Sequence, residues 1–192
     1  VSVSNINRQI LATHSTVGLP KVEAARRRIL DINPNCNVRT YPIFYLPDTA
    51  AQFDFTQYDY IVDAIDTVTG KLCLAGRAFA AGTPIISCMG AGNKLNGTAF
   101  QVADISKTTI CPLARVMRTE LRKRGVKHLT VAYSTEEPVR PVGARLAAAA
   151  IDSEDQSPAG SRRKDIPGSA AFVPSAMGLL IASHVVRKLT GK

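Results

Sequence analysis

The sequence predicts an α/β fold: a doubly wound, mainly parallel sheet with helices on both faces. Three observations predict it. Tyr58 to Ile65 is a near-continuous apolar run, as carried by parallel strands buried on both faces. Lys71 to Ala81 follows as a helix that stops at Gly82, and Pro84 to Cys88 is a second buried run. The strand–helix–strand rhythm from Val38 to Cys88 is that of right-handed parallel crossovers.

The other elements follow in order. Val1 to Asn7 reads as the tail of a strand entering a loop. Helix signals begin near Pro20, a residue suited to a first helical position. Val22, Ala25, Ile29, Leu30 and Ile32 keep a helical period, with Arg26, Arg27 and Arg28 mostly opposite, and Asn33-Pro34 ends the helix. Val38 to Leu46 is a strand candidate. Thr67 or Thr69 caps the helix that begins at Lys71. Met89-Gly90-Ala91-Gly92 is a turn. Thr98 to Ile105 and Leu129 to Ser134 are strand candidates on either side of a helix over Cys111 to Arg124. Residues 144–166 hold no sustained period and are expected to form a mobile loop. Ser169 to Pro174 is a short extended piece. Ser175 opens a final apolar helix through Leu179, Leu180, Ala182, Val185 and Val186, with Arg187 and Lys188 at its end.

The chain has 192 residues, 45% of them hydrophobic, which suits one domain spanning 1–192 with a sizeable core. Its formal net charge of +9 favours a polyanionic partner, nucleic acid or nucleotide. No apolar run is read as approaching a spanning length, and no signal peptide is visible, so no membrane is expected. Cys36, Cys73, Cys88 and Cys111 form no C-x-x-C pair, so no structural zinc is expected. Their scattered spacing suits reduced thiols in a cytoplasm. The first three read as core or near-core positions. Cys111 reads first as a small buried residue at a loop corner, and otherwise as a thiolate stabilised at a helix start.

Arg8 and Lys21 stand on either side of a short connection ahead of the first helix. A guanidinium in the polar frame of Ser4-Asn5-Ile6-Asn7-Arg8-Gln9 suits bidentate phosphate recognition. A lysine at a helix start adds a point charge beside exposed N–H groups. The pair reads as a nucleotide-triphosphate grip or as a solvated loop leading into an amphipathic helix. Asp66, at a strand's carboxyl end, reads as a helix cap or as a ligand contact, and that edge is where open α/β sheets bind ligands. Asp63, earlier in the strand, reads as structural. Gly90 and Gly92 suit equally a plain turn and close backbone approach to a substrate. Arg115, Arg118 and Arg122 share one helix side, with Lys123 beside them. Such a stripe is a solvated face or a phosphate track, which Arg26 to Arg28 would extend. No aromatic platform interleaves it, which favours structured RNA over single strands.

Four segments occur together and in order: Ser4 to Gln9, Gly18-Leu19-Pro20-Lys21-Val22-Glu23, Ile29-Leu30-Asp31-Ile32-Asn33-Pro34 and Asp63-Ala64-Ile65-Asp66. With them the chain resembles the ThiF/MoeB/ubiquitin-activating-enzyme superfamily, Rossmann-like proteins that activate a carboxylate with ATP. Three further segments make it most similar to the superfamily's tRNA threonylcarbamoyladenosine dehydratases. They are Lys107-Thr108-Thr109-Ile110-Cys111-Pro112-Leu113-Ala114-Arg115, Tyr133-Ser134-Thr135-Glu136, and Pro167-Gly168-Ser169 leading into Phe172-Val173-Pro174-Ser175. The resemblance implies that Arg8 contacts the ATP phosphates and that Asn5 and Asn7, with Gln9 beside them, shape the loop and bind the nucleotide. It implies that Lys21 meets the phosphates and that Asp66 faces the Mg2+-bound triphosphate. Arg8, Lys21 and Asp66 are then the catalytic set. The implied partner is tRNA, along Arg115, Arg118, Arg122 and Lys123, and the implied assembly is a homodimer. A monovalent cation and sulfur-transfer proteins stay open as additions.

Two departures stand beside the resemblance. The superfamily opens with a strand, a Gly-rich phosphate loop and an acidic residue that holds the ribose, and the chain is expected to lack that N-terminal unit. Sulfur-carrier-activating relatives hold zinc with two C-x-x-C pairs, which are absent here. Thr130-Val131-Ala132 stands where some dehydratases carry a cysteine, so no cysteine nucleophile is assigned. The implied reaction is ATP-dependent cyclisation of N6-threonylcarbamoyladenosine in tRNA. Its threonyl carboxylate becomes a mixed anhydride, and the neighbouring carbamoyl group closes a ring with net loss of water. The alternatives are adenylation of the C-terminus of a ubiquitin-like sulfur carrier, and an inactive RNA-binding or dimerising fragment.

Overall fold

Alternating side chains of one strand build the two halves of the core. Val131 and Tyr133 point to one face of the sheet and Ala132 to the other. The computed structural model describes residues 1–139 and 168–192, so the loop expected at 144–166 lies outside the described residues. Its sheet has the order β1-β2-β4-β3, with β1 (Ile61–Asp63), β2 (Ile85–Cys88), β3 (Phe100–Asp104) and β4 (Thr130–Ser134). β1, β2 and β4 are parallel, and β3 runs antiparallel to β4.

Helix α1 (Lys21–Ile32) buries Ala24. Helices α2 (Val68–Ala81) and α3 (Pro112–Lys123) cover one face, packing Leu72, Ala75, Ala114, Met117 and Leu121 against Val131 and Tyr133. Helix α4 (Phe172–Leu189) covers the other, with Val173, Met177 and Ile181 against Ile86, Phe100 and Ala132. Each large apolar side chain so buried contributes about 1.5–3 kcal/mol. The ends of α2 and α3 follow local chemistry. Thr67, in extended backbone, precedes α2. Gly82 ends it at φ 69°, a left-handed conformation that glycine adopts without a Cβ clash. Pro112 opens α3, where its missing N–H costs nothing.

Several sequence expectations are corrected. Val3–Asn5 is a short 3-10 turn and not a strand end, because Asn5 folds back to accept the Ser2 N–H on its side-chain oxygen. Val38 to Leu46 joins no ladder and bends at Ile43, whose N–H donates to the Tyr41 carbonyl at 2.8 Å. Pro42 lacks a donor, and the segment's Arg39, Tyr41 and Tyr45 line a cavity of about 780 Å3 beside Tyr60 and Ile61. β1 itself spans three residues and is not buried on both faces: as an edge strand it leaves Val62 49% exposed. Helix α4 begins at Phe172, not Ser175. Pro174 falls in its first turn, where backbone donors have no intrahelical partner, and Ser175 bonds back to the Ala171 carbonyl. Cys36 is exposed in the stretch after α1, not in the core. By length and composition α4 could cross a membrane, contrary to the reading that no run approaches that length. It lies on the sheet, with Val173, Met177 and Ile181 buried in the core.

Candidate active site

The residues read as a grip come from two local structures at neighbouring ends of the chain's first segment. In the first, the Asn5 carbonyl accepts the N–H groups of Arg8 (3.2 Å) and Gln9 (2.9 Å), so Asn5, Asn7, Arg8 and Gln9 share one tight turn. Arg8 is half-buried. Its Nη1 donates to the Ser4 carbonyl at 2.7 Å and to Asn7 Oδ1 at 3.0 Å. Those bonds orient the guanidinium while its other nitrogens have no protein partner among the described residues. Asn5 is buried and holds the turn. Gly18 donates to the Val1 carbonyl at 2.9 Å, and the Val1 nitrogen donates to Leu19 at 2.5 Å. These bonds fasten the Arg8 turn to the entry of α1, whose first residue, Lys21, is exposed. Gly18 makes this approach at φ 87°, a conformation that side chains rarely adopt.

Asp66 lies in the bend between β1 and α2, at the sheet's carboxyl edge. The bend is set from below. The Asp63 carboxylate is fully buried and accepts Lys71 Nζ on both oxygens at 3.0 Å, Ser87 Oγ, and the Ile65 N–H at 3.2 Å. Lys71 on α2 is equally buried. Gly70 completes the packing: a Cβ there would stand 2.7 Å from Ile65 Cδ1, Thr67 Oγ1 and the Tyr45 carbonyl. Asp66 itself is exposed and makes no ion pair among the described residues. Its charge is felt by the nearby Cys88 thiol. Burial pushes that thiol up to about 11, Lys71 opposes, and Asp63 and Asp66 add to the rise. Cys88 is thus a neutral thiol at neutral pH and a poor nucleophile.

The turn after β2 forms a third part. Asn93 stands at φ 59°, and next to it Lys94 is buried. Lys94 Nζ donates to the Glu136 carbonyl just beyond β4. The Glu136 carboxylate accepts the N–H groups of Leu95 (2.9 Å) and Asn96 (3.0 Å). Those two bonds, Leu95 first, hold it below the usual range, and nearby Lys94 adds a smaller pull.

The structure thus gathers Asn5, Asn7, Arg8 and Gln9, attaches Lys21 to them, and sets Asp66 at the sheet edge. Arg8 and Asp66 make no bond to one another. The four basic residues of α3 differ among themselves. Arg115 and Arg122 are exposed. Arg118 is half-buried, its Nη1 donating to the carbonyls of Ile105 (3.0 Å) and Thr108 (3.1 Å) and to Thr108 Oγ1 (2.8 Å). Lys123 pairs with Glu120 at 2.6 Å, and Arg124 pairs with it at 2.9 Å. Sequence reasoning missed Lys71, Ser87, Asn93 and Lys94. The signal for Lys71 was a lone cation in the apolar helix after an acid in an apolar strand. For Asn93 it was an asparagine after Gly90-Ala91-Gly92, since asparagine tolerates the left-handed region.

The ThiF family model matches residues 1–192. The tRNA threonylcarbamoyladenosine dehydratase of Bacillus subtilis (strain 168) is 41% identical over 196 residues, which cover 98% of this chain and 73% of the relative. That of Escherichia coli (strain K12) is 33% identical over 203 residues, covering 100% and 74%. Among solved structures, the E. coli enzyme in complex with ATP superposes with a TM-score of 0.82 at 32% identity, covering 100% of this chain and 72% of that one. An AMP complex of the same enzyme gives 0.81. Motif order, fold and comparisons agree, and the chain belongs to the ThiF family.

Proposed function

We propose that the chain catalyses the ATP-dependent dehydration of N6-threonylcarbamoyladenosine in tRNA to its cyclic form. The observation that carries this reading is similarity over the whole chain to tRNA threonylcarbamoyladenosine dehydratases, one of them solved with ATP bound. The donor set fits a triphosphate. Arg8 is oriented through one nitrogen and keeps further N–H donors for phosphate oxygens. Lys21 is exposed at the first turn of α1, where N–H groups and charge favour anions. ATP supplies, when bound, the activation that makes the substrate carboxylate electrophilic. Arg8 and Lys21 then hold and neutralise phosphate, and Asn5, Asn7 and Gln9 keep the loop in shape.

A divalent cation such as Mg2+ would be held by Asp66 together with phosphate and water oxygens. Among the described residues no three acidic, histidine or cysteine side chains converge. tRNA phosphates would meet the exposed Arg115 and Arg122. Arg118 serves that face by fixing the turn at Ile105 and Thr108, and Lys123 by keeping Glu120 occupied. This substrate and the unpaired thiols together support a cytoplasmic location.

Incubating the protein with ATP and tRNA bearing the modified adenosine, then weighing the nucleosides, tests the reading. Loss of one water is expected. Arg8→Ala should abolish that conversion while leaving tRNA affinity within about twofold, since Arg8 is read as a contact to ATP and the tRNA phosphates meet α3. Undiminished turnover in Arg8→Ala would remove the residue from the machinery.

We also infer a homodimer through the outer face of α4. Phe172, Ser175, Leu179, Ala182, Val186 and Leu189 recur at alternating spacings of three and four, and Leu179 is 73% exposed. Light scattering should find a dimer that Leu179→Glu splits; a monomer in both would refute it.

A further inference from the structure

We propose that Asn93 is a positioning residue for the Arg8 grip, acting through Gly168, Ser169 and Asn7. The proposal rests on the reading of Arg8 as a phosphate contact. Each link is a hydrogen bond. The Asn93 N–H donates to the Gly168 carbonyl at 2.8 Å, and Asn93 Oδ1 accepts the Gly168 N–H at 2.7 Å. Both backbone groups of Gly168 are therefore bracketed by one residue. The next carbonyl along, that of Ser169, accepts Asn7 Nδ2 at 3.2 Å, and Asn7 Oδ1 accepts Arg8 Nη1 at 3.0 Å. The Asn7 amide is gripped at both ends, so its plane, and with it the guanidinium, follows the position of the Ser169 carbonyl.

The far end of this chain of bonds is anchored to the sheet. The Asn93 carbonyl accepts the Val139 N–H at 2.8 Å. Buried Lys94 ties the turn to the Glu136 carbonyl, and the Glu136 carboxylate caps Leu95 and Asn96. An asparagine suits this position for two separable reasons. It tolerates φ 59°, and it carries a side-chain carbonyl acceptor on a single methylene, close to its own backbone. The first reason serves the turn. The second serves only the link to Gly168, and it is the link that reaches Arg8.

Calorimetry of ATP and AMP binding by the full chain separates the two. Asn93→Gly keeps the left-handed backbone and removes the acceptor; Asn93→Asp keeps both. Asn93→Gly should weaken ATP about fivefold or more and AMP less than about twofold, with Asn93→Asp within about twofold of the parent for either. Adding Asn93→Gly to Asn7→Ala should cost nothing further, because Asn7→Ala already cuts the path between Asn93 and Arg8. An unchanged ATP affinity in Asn93→Gly, where Arg8→Ala has lost it, overturns the proposal. Equal losses of ATP and AMP overturn it too, since a collapsed turn would harm both. Should Asn93→Gly not fold, Asn7→Ala alone reads the same link, and an unchanged ratio of ATP to AMP affinity overturns it. If Arg8→Ala leaves ATP affinity intact, the phosphate reading of Arg8 fails and this proposal falls with it.

Discussion

Two regions at the candidate site are held in place by opposite means. The Asp66 bend rests on a buried ion pair: Asp63 and Lys71, at most 1% exposed, meet bidentately with Ser87 and the Ile65 N–H completing the set. The Arg8 loop rests on a relay of side-chain-to-backbone bonds near the surface, from Asn93 through Gly168 and Ser169 to Asn7, with the Glu136 carboxylate holding Leu95 and Asn96 beside it. A buried pair is all-or-none, because removing one member strands the other charge away from water. A surface relay gives way link by link, since water replaces each lost partner. The difference separates the two: Asp66 stands on a platform that fails as a unit, and the Arg8 loop hangs on bonds that can be removed one at a time.

The largest expected effect breaks the platform. Asp63→Ala should destabilise the chain by about 3–5 kcal/mol, read as the shift in denaturant midpoint, because Lys71 is left buried and unpaired. A loss near that of an ordinary surface substitution would show that water reaches Lys71 and that the platform is not dry. Gly70→Ala comes next, at about 1–3 kcal/mol. Its new Cβ would press on the Tyr45 carbonyl, which is backbone and cannot rotate away, and on Ile65 and Thr67 at the bend. If Gly70→Ala melts like the parent but loses ATP-dependent turnover, the strain has been taken up by the Asp66 bend alone.

The same contrast explains what could be read from sequence. α2, α3, β2 and β4 were legible because period and end signals coincide: Gly82 stops α2, Pro112 opens α3, and the strands are apolar on both sides. Val38 to Leu46 carries strand-like residues yet forms no ladder, because strand formation needs a partner and sequence shows only propensity. Ser175 resembled a helix cap, and the tolerance of Pro174 in a first turn moved the true start to Phe172. The ordered motifs singled out Arg8, Asn7 and Asp66 as candidates, and the structure places Asn7 against Arg8 and Asp66 at the sheet edge. The platform beneath Asp66 was only half legible, since Asp63 read as structural but its partner did not announce itself. The relay was not legible at all. Asn93 meets Gly168, Lys94 meets Glu136 and Asn7 meets Ser169 across long stretches of chain, and no local pattern encodes those meetings.

The smallest expected effect sharpens the surface side, and pH is the probe. Glu136 titrates below its ordinary 4.5 because its carboxylate accepts the Leu95 and Asn96 N–H groups. A carboxyl held low in the folded chain binds its proton later than in the unfolded chain as pH falls. Its contribution is therefore complete above pH 4.5 and is lost as pH drops from there through the folded value. Asp54, Asp104 and Glu120 also titrate low, so acid weakens the parent through several groups. The informative quantity is the difference between parent and Glu136→Gln, whose amide can still accept one N–H but carries no charge. Thermal melts taken downward from neutral pH should show the two midpoints converging only below pH 4.5. A gap that is constant with pH would mean that Glu136 acts on Leu95 and Asn96 as a neutral spacer, and the relay would then lack a charged anchor at its β4 end.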